Sequence, residues 1–336
     1  MNIKPLIILL ILLTPLSTFA EQNIRVRILE KYHPKKILIS YHESIYEEID
    51  VDLSTMSPKH FNTETLYTIK IPSIGFERQY FGTLTFYKSD ELIVVNSVPL
   101  ERYVVSVVLS ELGMKKPEAM CAQSVISRTW ALSHLRPKKR WDFNDLTISQ
   151  VYKGVSAYDK KTESIISQTL GQTLYYNRKP AEIYFHAKCS DRIYSSHEIW
   201  GTEISYLSSK GSKIDKAYTW KARVDINKLN NIFSQRKVNY TRLKRDGMWF
   251  IKAGSTFYSI DNFRLKVNRV LGWHTLKSTD FNIIMDGDTV NFTGKGHGHL
   301  VGFCQESAVK MAKNGYSYDQ ILSYFFPGCT IENYLM

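Results

Sequence analysis

The stretch that decides the fold, residues 98–131, reads VPLERYVVSVVLSELG, then MKK, then PEAMCAQSVISRTWA. Apolar residues recur at helical spacing in both halves, which predicts two consecutive helices over residues 97–112 and 117–135. Glu111 continues the apolar stripe of the first helix and stands at the joint between the two. Burial disfavours an ionised carboxylate, so Glu111 is a candidate general acid with a raised pKa. The alternative is an ordinary helix-end carboxylate that faces solvent or pairs with a lysine.

The rest of the chain is rich in short strand patterns. Residues 24–95 alternate apolar and polar side chains with period two, and residues 214–292 do so again around one helical stretch, 225–235. Helical patterns return near the end, at 305–313 and 317–324. The sequence therefore predicts an α+β fold, in which a strand-rich N-terminal portion and a strand-rich insertion accompany a helical core.

The chain divides into five parts: a signal peptide at 1–20, a strand-rich N-terminal portion at 21–96, a core at 97–210, a strand-rich insertion at 211–285 and the C-terminal part of the core at 286–336. The signal peptide is inferred from the cationic Lys4, the apolar run 6–13 and the small-x-small ending at 18–20. Because the apolar run is shorter than a membrane span, we expect an exported protein of the periplasm or cell-wall space, with no stable membrane insertion after cleavage. An uncleaved N-terminal anchor is the alternative.

The charge balance indicates anionic partners. The chain has 44 Lys and Arg residues against 32 Asp and Glu, a formal net charge of +12. A basic exported protein is attracted to polyanions such as the bacterial wall. DNA is the other polyanion that suits this charge, but the sequence has no helix-turn-helix, zinc-finger or RNA-recognition pattern, and export argues against it. We therefore expect no nucleic-acid partner and no cofactor.

Several further blocks follow residues 98–131 in a recognisable order. They are 149–154 (SQVYKG), 183–186 (IYFH), 198–201 (EIWG), 276–281 (LKSTDF), 296–305 (GHGHLVGFCQ), 316–322 (YSYDQIL) and 324–328 (YFFPG). Together with the opening stretch, these blocks resemble the signature of the SpoIID/LytB family over residues 97–334. Their shared order makes the resemblance more specific than any one block.

The resemblance implies a peptidoglycan lytic transglycosylase, which cleaves MurNAc–GlcNAc bonds, with Glu111 in the position of the catalytic acid. One carboxyl group suffices for this reaction, first as acid and then as base, whereas hydrolysis usually needs two. Asp145 is the other acid considered, with a turn or capping residue as its alternative role. The family also implies glycan strands stripped of stem peptides as substrate. A non-catalytic, wall-binding enhancer of an N-acetylmuramoyl-L-alanine amidase is the alternative function.

The matching blocks also supply candidate substrate-binding residues. They are Gln123, Arg128, Gln150, Tyr152, His186, His299 and Gln305. A guanidinium binds planar acceptors such as carboxylates, and amides and a phenol can bind N-acetyl groups. The alternative role is structural, because polar residues in an otherwise apolar helix also form satisfied networks within a core.

Two blocks depart from the family pattern. The family's his-ser-x-ser-gly-gly reads HAKCSD at 186–191, which loses both glycines, and a cysteine replaces a serine at Cys189 and again at Cys304. In an oxidising compartment the four cysteines suggest two disulfides, and we expect Cys189 with Cys304 and Cys121 with Cys329 among three possible pairings. A metal site built from His186, Cys189, His297, His299 and Cys304 is the alternative. Because their spacing fits no common zinc motif, no metal is expected.

Overall fold

The computed structural model describes residues 22–34, 36–41, 45–50, 60–61, 66–113, 115–146, 149–155, 160–235 and 238–334. The signal peptide expected at 1–20 lies outside the described residues. The described chain contains both helices and several sheets, largely in separate stretches, which confirms the α+β class. Among the described residues, no helix combines the length and the apolar character that a membrane crossing requires.

The helices are α1 (Leu100–Glu111), α2 (Pro117–Ser133), α3 (Lys160–Ile166), α4 (Ser196–Trp200), α5 (Ile226–Phe233), α6 (Ile260–Leu271), α7 (Gln305–Lys313) and α8 (Tyr318–Phe325). The strands are β1 (Asn23–Ile28), β2 (Lys36–Tyr41), β3 (Ile45–Asp50), β4 (His60–Phe61), β5 (Leu66–Ile71), β6 (Phe76–Phe81), β7 (Thr83–Lys88), β8 (Leu92–Pro99), β9 (Phe143–Asn144), β10 (Gln172–Tyr176), β11 (Lys179–Pro180), β12 (Phe185–His186), β13 (Arg192–Ile193), β14 (Lys210–Gly211), β15 (Thr219–Asp225), β16 (Tyr240–Arg245), β17 (Met248–Ala253), β18 (Thr256–Ser259), β19 (Asp280–Asp286), β20 (Thr289–Lys295), β21 (Phe303–Cys304) and β22 (Thr330–Asn333).

The N-terminal strands form two sheets. One has the order β3-β2-β5-β6 and the other the order β4-β7-β8-β1-β9. The chain passes from the first sheet to the second at Gly82, whose φ is +97° and whose missing Cβ would lie 2.2 Å from the Ser97 carbonyl oxygen. Only glycine fits both the dihedral and the close approach. Strand β8 then leads directly into α1, so the sheet fixes where that helix begins.

Helices α1 and α2 form the centre of the core. The predicted start of the first helix at residue 97 is three residues early, because Ser97 pairs with Arg25 in the β1–β8 ladder. Helix α2 is buried on nearly every face and packs against α1, α3, α7, α8 and β10. Its small residues, such as Ala119 and Ala122, are fully buried and allow this close approach.

The strand-rich insertion has a core of its own aromatic residues. Sheet β15-β20-β19 and sheet β16-β17-β18 enclose a cluster of Phe233, Tyr240, Phe263, Phe281 and Phe292. The sequence predicted only one helix here, but the structure has both α5 and α6. Helix α6 buries side chains at i, i+3 and i+7, a helical spacing that short neighbouring strands obscured. The β19–β20 hairpin also spans residue 285, where the sequence placed a boundary.

A short parallel pair joins two distant segments of the core. Strand β12 pairs with β21, which sets His186 beside Cys304. Gly302 makes the preceding turn with φ +70°, and a Cβ there would lie 2.4 Å from the Tyr184 carbonyl oxygen. Helix α7 begins at Gln305, immediately after β21, and packs on α2. This pairing therefore places the first turn of α7 opposite the end of α1.

Candidate active site

A cleft opens where α1 ends. Its volume is about 990 Å³, and its walls come from the α1–α2 joint, the segment after β12, the 214–216 loop and α7. The lining residues are Glu111, Leu112, Lys115, Lys116, Pro117, Ala187, Lys188, Ile214, Asp215, Lys216, Gln305, Glu306, Val309, Lys310 and Lys313. Of the candidate residues from the sequence, Glu111 and Gln305 line this cleft.

Glu111 is the last residue of α1, and the local backbone explains its position. Both Leu112 and Gly113 donate their N–H groups to the Val108 carbonyl, at 2.9 and 3.1 Å, and Gly113 has φ +72°. A left-handed glycine in this position ends a helix. The side chain of Glu111 therefore projects from the final turn into the cleft, while its carboxyl group is largely enclosed by protein.

The environment of Glu111 favours a protonated carboxyl group. Burial raises its pKa above the ordinary value. Two hydrogen bonds oppose this effect: the Val151 N–H donates to Oε1 at 2.8 Å, and the Gln305 side chain donates as well. The positive charge of Lys153 also lowers the pKa, but burial is the largest cause and prevails. The carboxyl group can therefore hold a proton and is also prepared to carry the negative charge after losing it.

Gln150 and Tyr152 lie on either side of Val151 but are buried away from the cleft. Gln150 accepts a hydrogen bond from the Tyr103 hydroxyl at 3.1 Å, and the Tyr152 hydroxyl donates to Asn96 Oδ1 at 2.6 Å. Gln150 is fully buried and Tyr152 almost fully, which differs from the expectation that they bind substrate. They instead fasten the loop that presents the Val151 N–H to Glu111.

Gln123 acts on the site through Gln305. The Gln305 amide donates to Gln123 Oε1 at 3.4 Å, and the Gln123 amide donates in turn to Ser127 Oγ at 3.2 Å. Gln123 is fully buried in α2, so it cannot reach a ligand in the cleft. It fixes the orientation of the Gln305 side chain beside Glu111.

Arg128 is fully buried and has structural partners. Its Nε and Nη2 donate to the two carboxylate oxygens of Glu101 at 2.7 and 2.6 Å, and its Nη1 donates to the Gln172 carbonyl at 2.8 Å. The guanidinium thus ties α2 to α1 and to β10. The structure agrees with the alternative interpretation of Arg128, a core network, and not with direct substrate binding.

His186 and His299 are neutral residues that shape the backbone next to the cleft. His186 Nδ1 donates to the Val301 carbonyl at 3.1 Å, and burial lowers its pKa to about 3. His299 Nδ1 accepts from the Val301 N–H at 3.1 Å, and burial lowers its pKa to about 4. The two ring centroids lie 5.8 Å apart, and the two imidazoles bond the carbonyl and the N–H of the same residue, Val301. Neither ring lines the cleft, which differs from the expected substrate contacts.

Asp145 is also outside the cleft. Its Oδ2 accepts a hydrogen bond from the Leu29 N–H at 2.9 Å, and burial raises its pKa to about 6. Leu29 has φ +64°, so Asp145 stabilises an unusual backbone turn at the end of β1. This contact agrees with the capping alternative. Asp145 therefore serves as a reference carboxyl group, buried like Glu111 but remote from the cleft lining.

Sequence reasoning missed the charged walls of the cleft. Among the described residues, six lysines line it: Lys115, Lys116, Lys188, Lys216, Lys310 and Lys313. The accompanying acids are Glu111, Asp215 and Glu306, of which Asp215 pairs with Lys310 at 2.6 Å. The cleft is therefore strongly positive. These lysines are scattered along the chain and come together only through the fold, so no local sequence pattern signals them.

One of the two expected disulfides is formed. Cys189 and Cys304 are bonded, as expected. Cys121 and Cys329 have free thiols, so the predicted Cys121–Cys329 disulfide is wrong. Cys121 is buried in α2, where its Sγ donates to the Ile165 carbonyl and burial raises its pKa to about 11. His186, Cys189 and Cys304 have ligand atoms within 4.8 Å of one another, but the disulfide uses both sulfurs.

The Cys189–Cys304 disulfide is expected to stabilise the core. It closes a long loop, with a sequence separation of 115, and ties β21 to the segment after β12. We expect the Cys189→Ser/Cys304→Ser variant to lose about 2–4 kcal/mol of unfolding free energy, because the unfolded chain gains entropy. Denaturant unfolding measures this loss, and Cys329→Ser is the control that removes a free thiol. A wild-type protein whose stability is unchanged by reductant would contradict the expectation.

Comparisons with known proteins identify the family. A family model described as Stage II sporulation protein, SpoIID, matches residues 88–176. The chain is 30% identical to Stage II sporulation protein D of Bacillus amyloliquefaciens over 264 residues, 71% of this chain and 75% of that protein. An uncharacterised protein of Brachyspira hyodysenteriae is 30% identical over 286 residues, 82% of this chain and 76% of the relative.

A more distant relative carries a different name. The Amidase enhancer of Bacillus subtilis is 24% identical over 274 residues, 65% of this chain and 38% of that protein. The family match contains α1, α2 and the 149–154 block, and hence Glu111 and Val151. The similarity to Stage II sporulation protein D extends over 71% of the chain. The chain therefore belongs to the SpoIID family.

Proposed function

We propose that this protein is a peptidoglycan lytic transglycosylase that acts in the bacterial wall and uses Glu111 as its single acid and base. The observation that carries the proposal is the carboxyl group of Glu111, which has a raised pKa and projects into an open cleft. The resemblance of the chain to SpoIID/LytB proteins and the signal peptide expected at 1–20 support the choice of substrate and place.

The reaction needs two proton transfers, both made by one carboxyl group. Protonated Glu111 donates its proton to the glycosidic oxygen as the bond from C1 of MurNAc to that oxygen breaks. The resulting carboxylate then accepts the proton of the 6-hydroxyl of the same MurNAc, whose oxygen bonds to C1 and closes the 1,6-anhydro ring. The Val151 N–H and the Gln305 amide stabilise the carboxylate between the two transfers.

The charge of the cleft supports a strand without stem peptides. When a stem peptide is removed, the lactyl group of MurNAc becomes a free carboxylate, whereas the attached peptide makes it an amide. Six lysines against three acids among the described lining residues can bind these free lactyl carboxylates along the strand. We infer that the substrate is the stripped glycan and that an amidase acts before this protein.

The amidase-enhancer function is the second candidate. It is supported by the similarity to the Amidase enhancer of Bacillus subtilis. The loss of the family glycines at Ser190 and Asp191 also favours it, because side chains there change the approach to a ligand. A protein of this kind would bind the wall or the amidase through the basic cleft without cutting glycan.

Product analysis tests the proposal. Purified, peptide-free glycan strands are incubated with the protein, and soluble products are identified by mass spectrometry. We expect 1,6-anhydro-MurNAc ends. Reducing ends would instead indicate hydrolysis, which needs a second carboxylate, and Glu306 in the cleft lining would be the first to replace. If no product forms but glycan binding persists and an added amidase is accelerated, the enhancer function holds.

A further inference from the structure

A pair of lysines converges on one tyrosine beside the cleft. Lys188 lines the cleft, and its Nζ lies 4.2 Å from the centroid of the Tyr218 ring. Lys277 Nζ donates to the Tyr218 hydroxyl at 2.9 Å and lies 5.4 Å from the same centroid. We call Lys188, Tyr218 and Lys277 the lysine–tyrosine patch. It continues the positive surface from the cleft towards the block at 276–281.

The backbone holds this patch in place. Lys188 and His297 exchange backbone hydrogen bonds. The Gly296 N–H donates to the Tyr218 carbonyl at 2.7 Å. The Gly298 N–H donates to the Lys277 carbonyl at 2.8 Å. Three separate segments are thus fastened to the 296–298 turn. Because both ammonium groups also contact the Tyr218 side chain, they are positioned before any ligand arrives, which lowers the entropy cost of binding an anion.

The charges of the patch are not neutralised within the described part of the chain. No carboxylate there is a hydrogen-bond or ion-pair partner of Lys188 or Lys277. The neighbouring His297 senses this charge: burial is the main cause of its lowered pKa, and the positive charges of Lys277 and Lys188 lower that pKa further. Two cations that share one aromatic ring repel each other, so an anion between them would relieve the repulsion.

We propose that the lysine–tyrosine patch is a second binding subsite, which takes a carboxylate of a sugar further along the strand than the bond being cut. The proposal rests on the proposed function, because it assumes that an anionic glycan occupies the cleft. Lys188 belongs to both surfaces, so a strand that leaves the cleft past Lys188 meets Lys277 next. The subsite would give long strands an advantage over short fragments.

Binding measurements in a Glu111→Gln background test the subsite without cleavage. The probes are stripped glycan strands, the same strands with their carboxylates converted to amides, and a stripped disaccharide. Lys277→Met is expected to weaken binding of the long strands about fivefold and to leave disaccharide binding unchanged. Amidated strands should bind weakly, and with equal affinity, to the Glu111→Gln protein with and without Lys277→Met. Lys277→Arg keeps the cation and should restore most of the affinity.

Lys221→Met is the matched control, because Lys221 is an exposed lysine on β15 near Tyr218 in sequence but outside the patch. An equal loss from Lys221→Met would overturn the subsite, since it would show a general charge effect. If Lys277→Met also weakened the binding of amidated strands, that result would overturn the subsite as well. These outcomes are separate from the proposed function: a wild-type protein that cuts glycan while Lys277→Met changes nothing refutes the subsite alone, and a protein that binds through Lys277 without cutting refutes the transglycosylase alone.

Discussion

Replacing Glu111 with glutamine is expected to lower the cleavage rate of stripped glycan strands about 10³-fold. Glutamine has almost the same shape and can still accept the Val151 N–H hydrogen bond, but it cannot give a proton to the glycosidic oxygen. The rate of anhydro-product formation measures the effect.

In the wild type, the rate of glycan cleavage should also fall as the pH rises above the raised pKa of Glu111, because only the protonated form is the acid.

Asp145→Asn is the matched control for this loss. Asp145 is a second carboxyl group with a raised pKa, but it contacts the Leu29 backbone and not the cleft. We expect this variant to cut glycan at close to the wild-type rate. If both variants lost activity to the same extent, or if Glu111→Gln remained active, Glu111 would not be the acid.

The Glu111→Gln substitution should not destabilise the protein. A raised pKa means that folded Glu111 holds its proton more tightly than the unfolded chain does. Stability is therefore lost as the pH rises from the ordinary value of 4.5 through the folded-state pKa, and it stays lower above that window. Glutamine has no such dependence. We expect Glu111→Gln to be at least as stable as the wild type at pH 7, with this advantage disappearing below pH 4.5 in thermal unfolding.

The sequence was sufficient to predict the central helices and the position of Glu111. An apolar stripe, a proline at the first position of α2 and Gly113 after α1 are local signals, and the structure follows them within a few residues. The direction in which a side chain points is not local. Arg128 meets Glu101, which is 27 residues away, and His186 meets Val301, which is 115 away. Residue type alone could not separate these partners from a substrate.

The lysines of the cleft show the same limit. Each is an ordinary surface lysine in the sequence, and only the β12–β21 pairing and the α1–α2 joint bring the segments together. The disulfides give a further example. The Cys189–Cys304 bond follows from the β12–β21 pairing, which brings the segment after β12 close to Cys304. Cys121 instead lies inside a central helix with its thiol against the Ile165 carbonyl. The predicted pairing counted cysteines without knowing which faces they occupy.

Removing the partner of the buried guanidinium is expected to cost a large share of the stability. Arg128 is fully buried and Glu101 is 22% exposed, and the two form a bidentate ion pair. Glu101→Ala leaves a buried positive charge without its carboxylate, which should cost about 3 kcal/mol of unfolding free energy. Denaturant unfolding measures the change. Because α1 carries both Glu101 and Glu111, we expect the variant to lose activity at temperatures where the wild type is folded.

Two comparisons separate the ion pair from a general effect of losing a glutamate. Glu77 pairs with Lys70 on the surface and is 59% exposed, so Glu77→Ala should change stability by no more than about 0.5 kcal/mol. The double variant Glu101→Ala/Arg128→Met removes the stranded charge and fills its space with an apolar side chain, so it should recover part of the loss. If Glu101→Ala cost as little as Glu77→Ala, the pair would not be what joins α1 to α2. If the double variant were less stable than Glu101→Ala, the hydrogen bond from Arg128 to the Gln172 carbonyl would be the larger contribution.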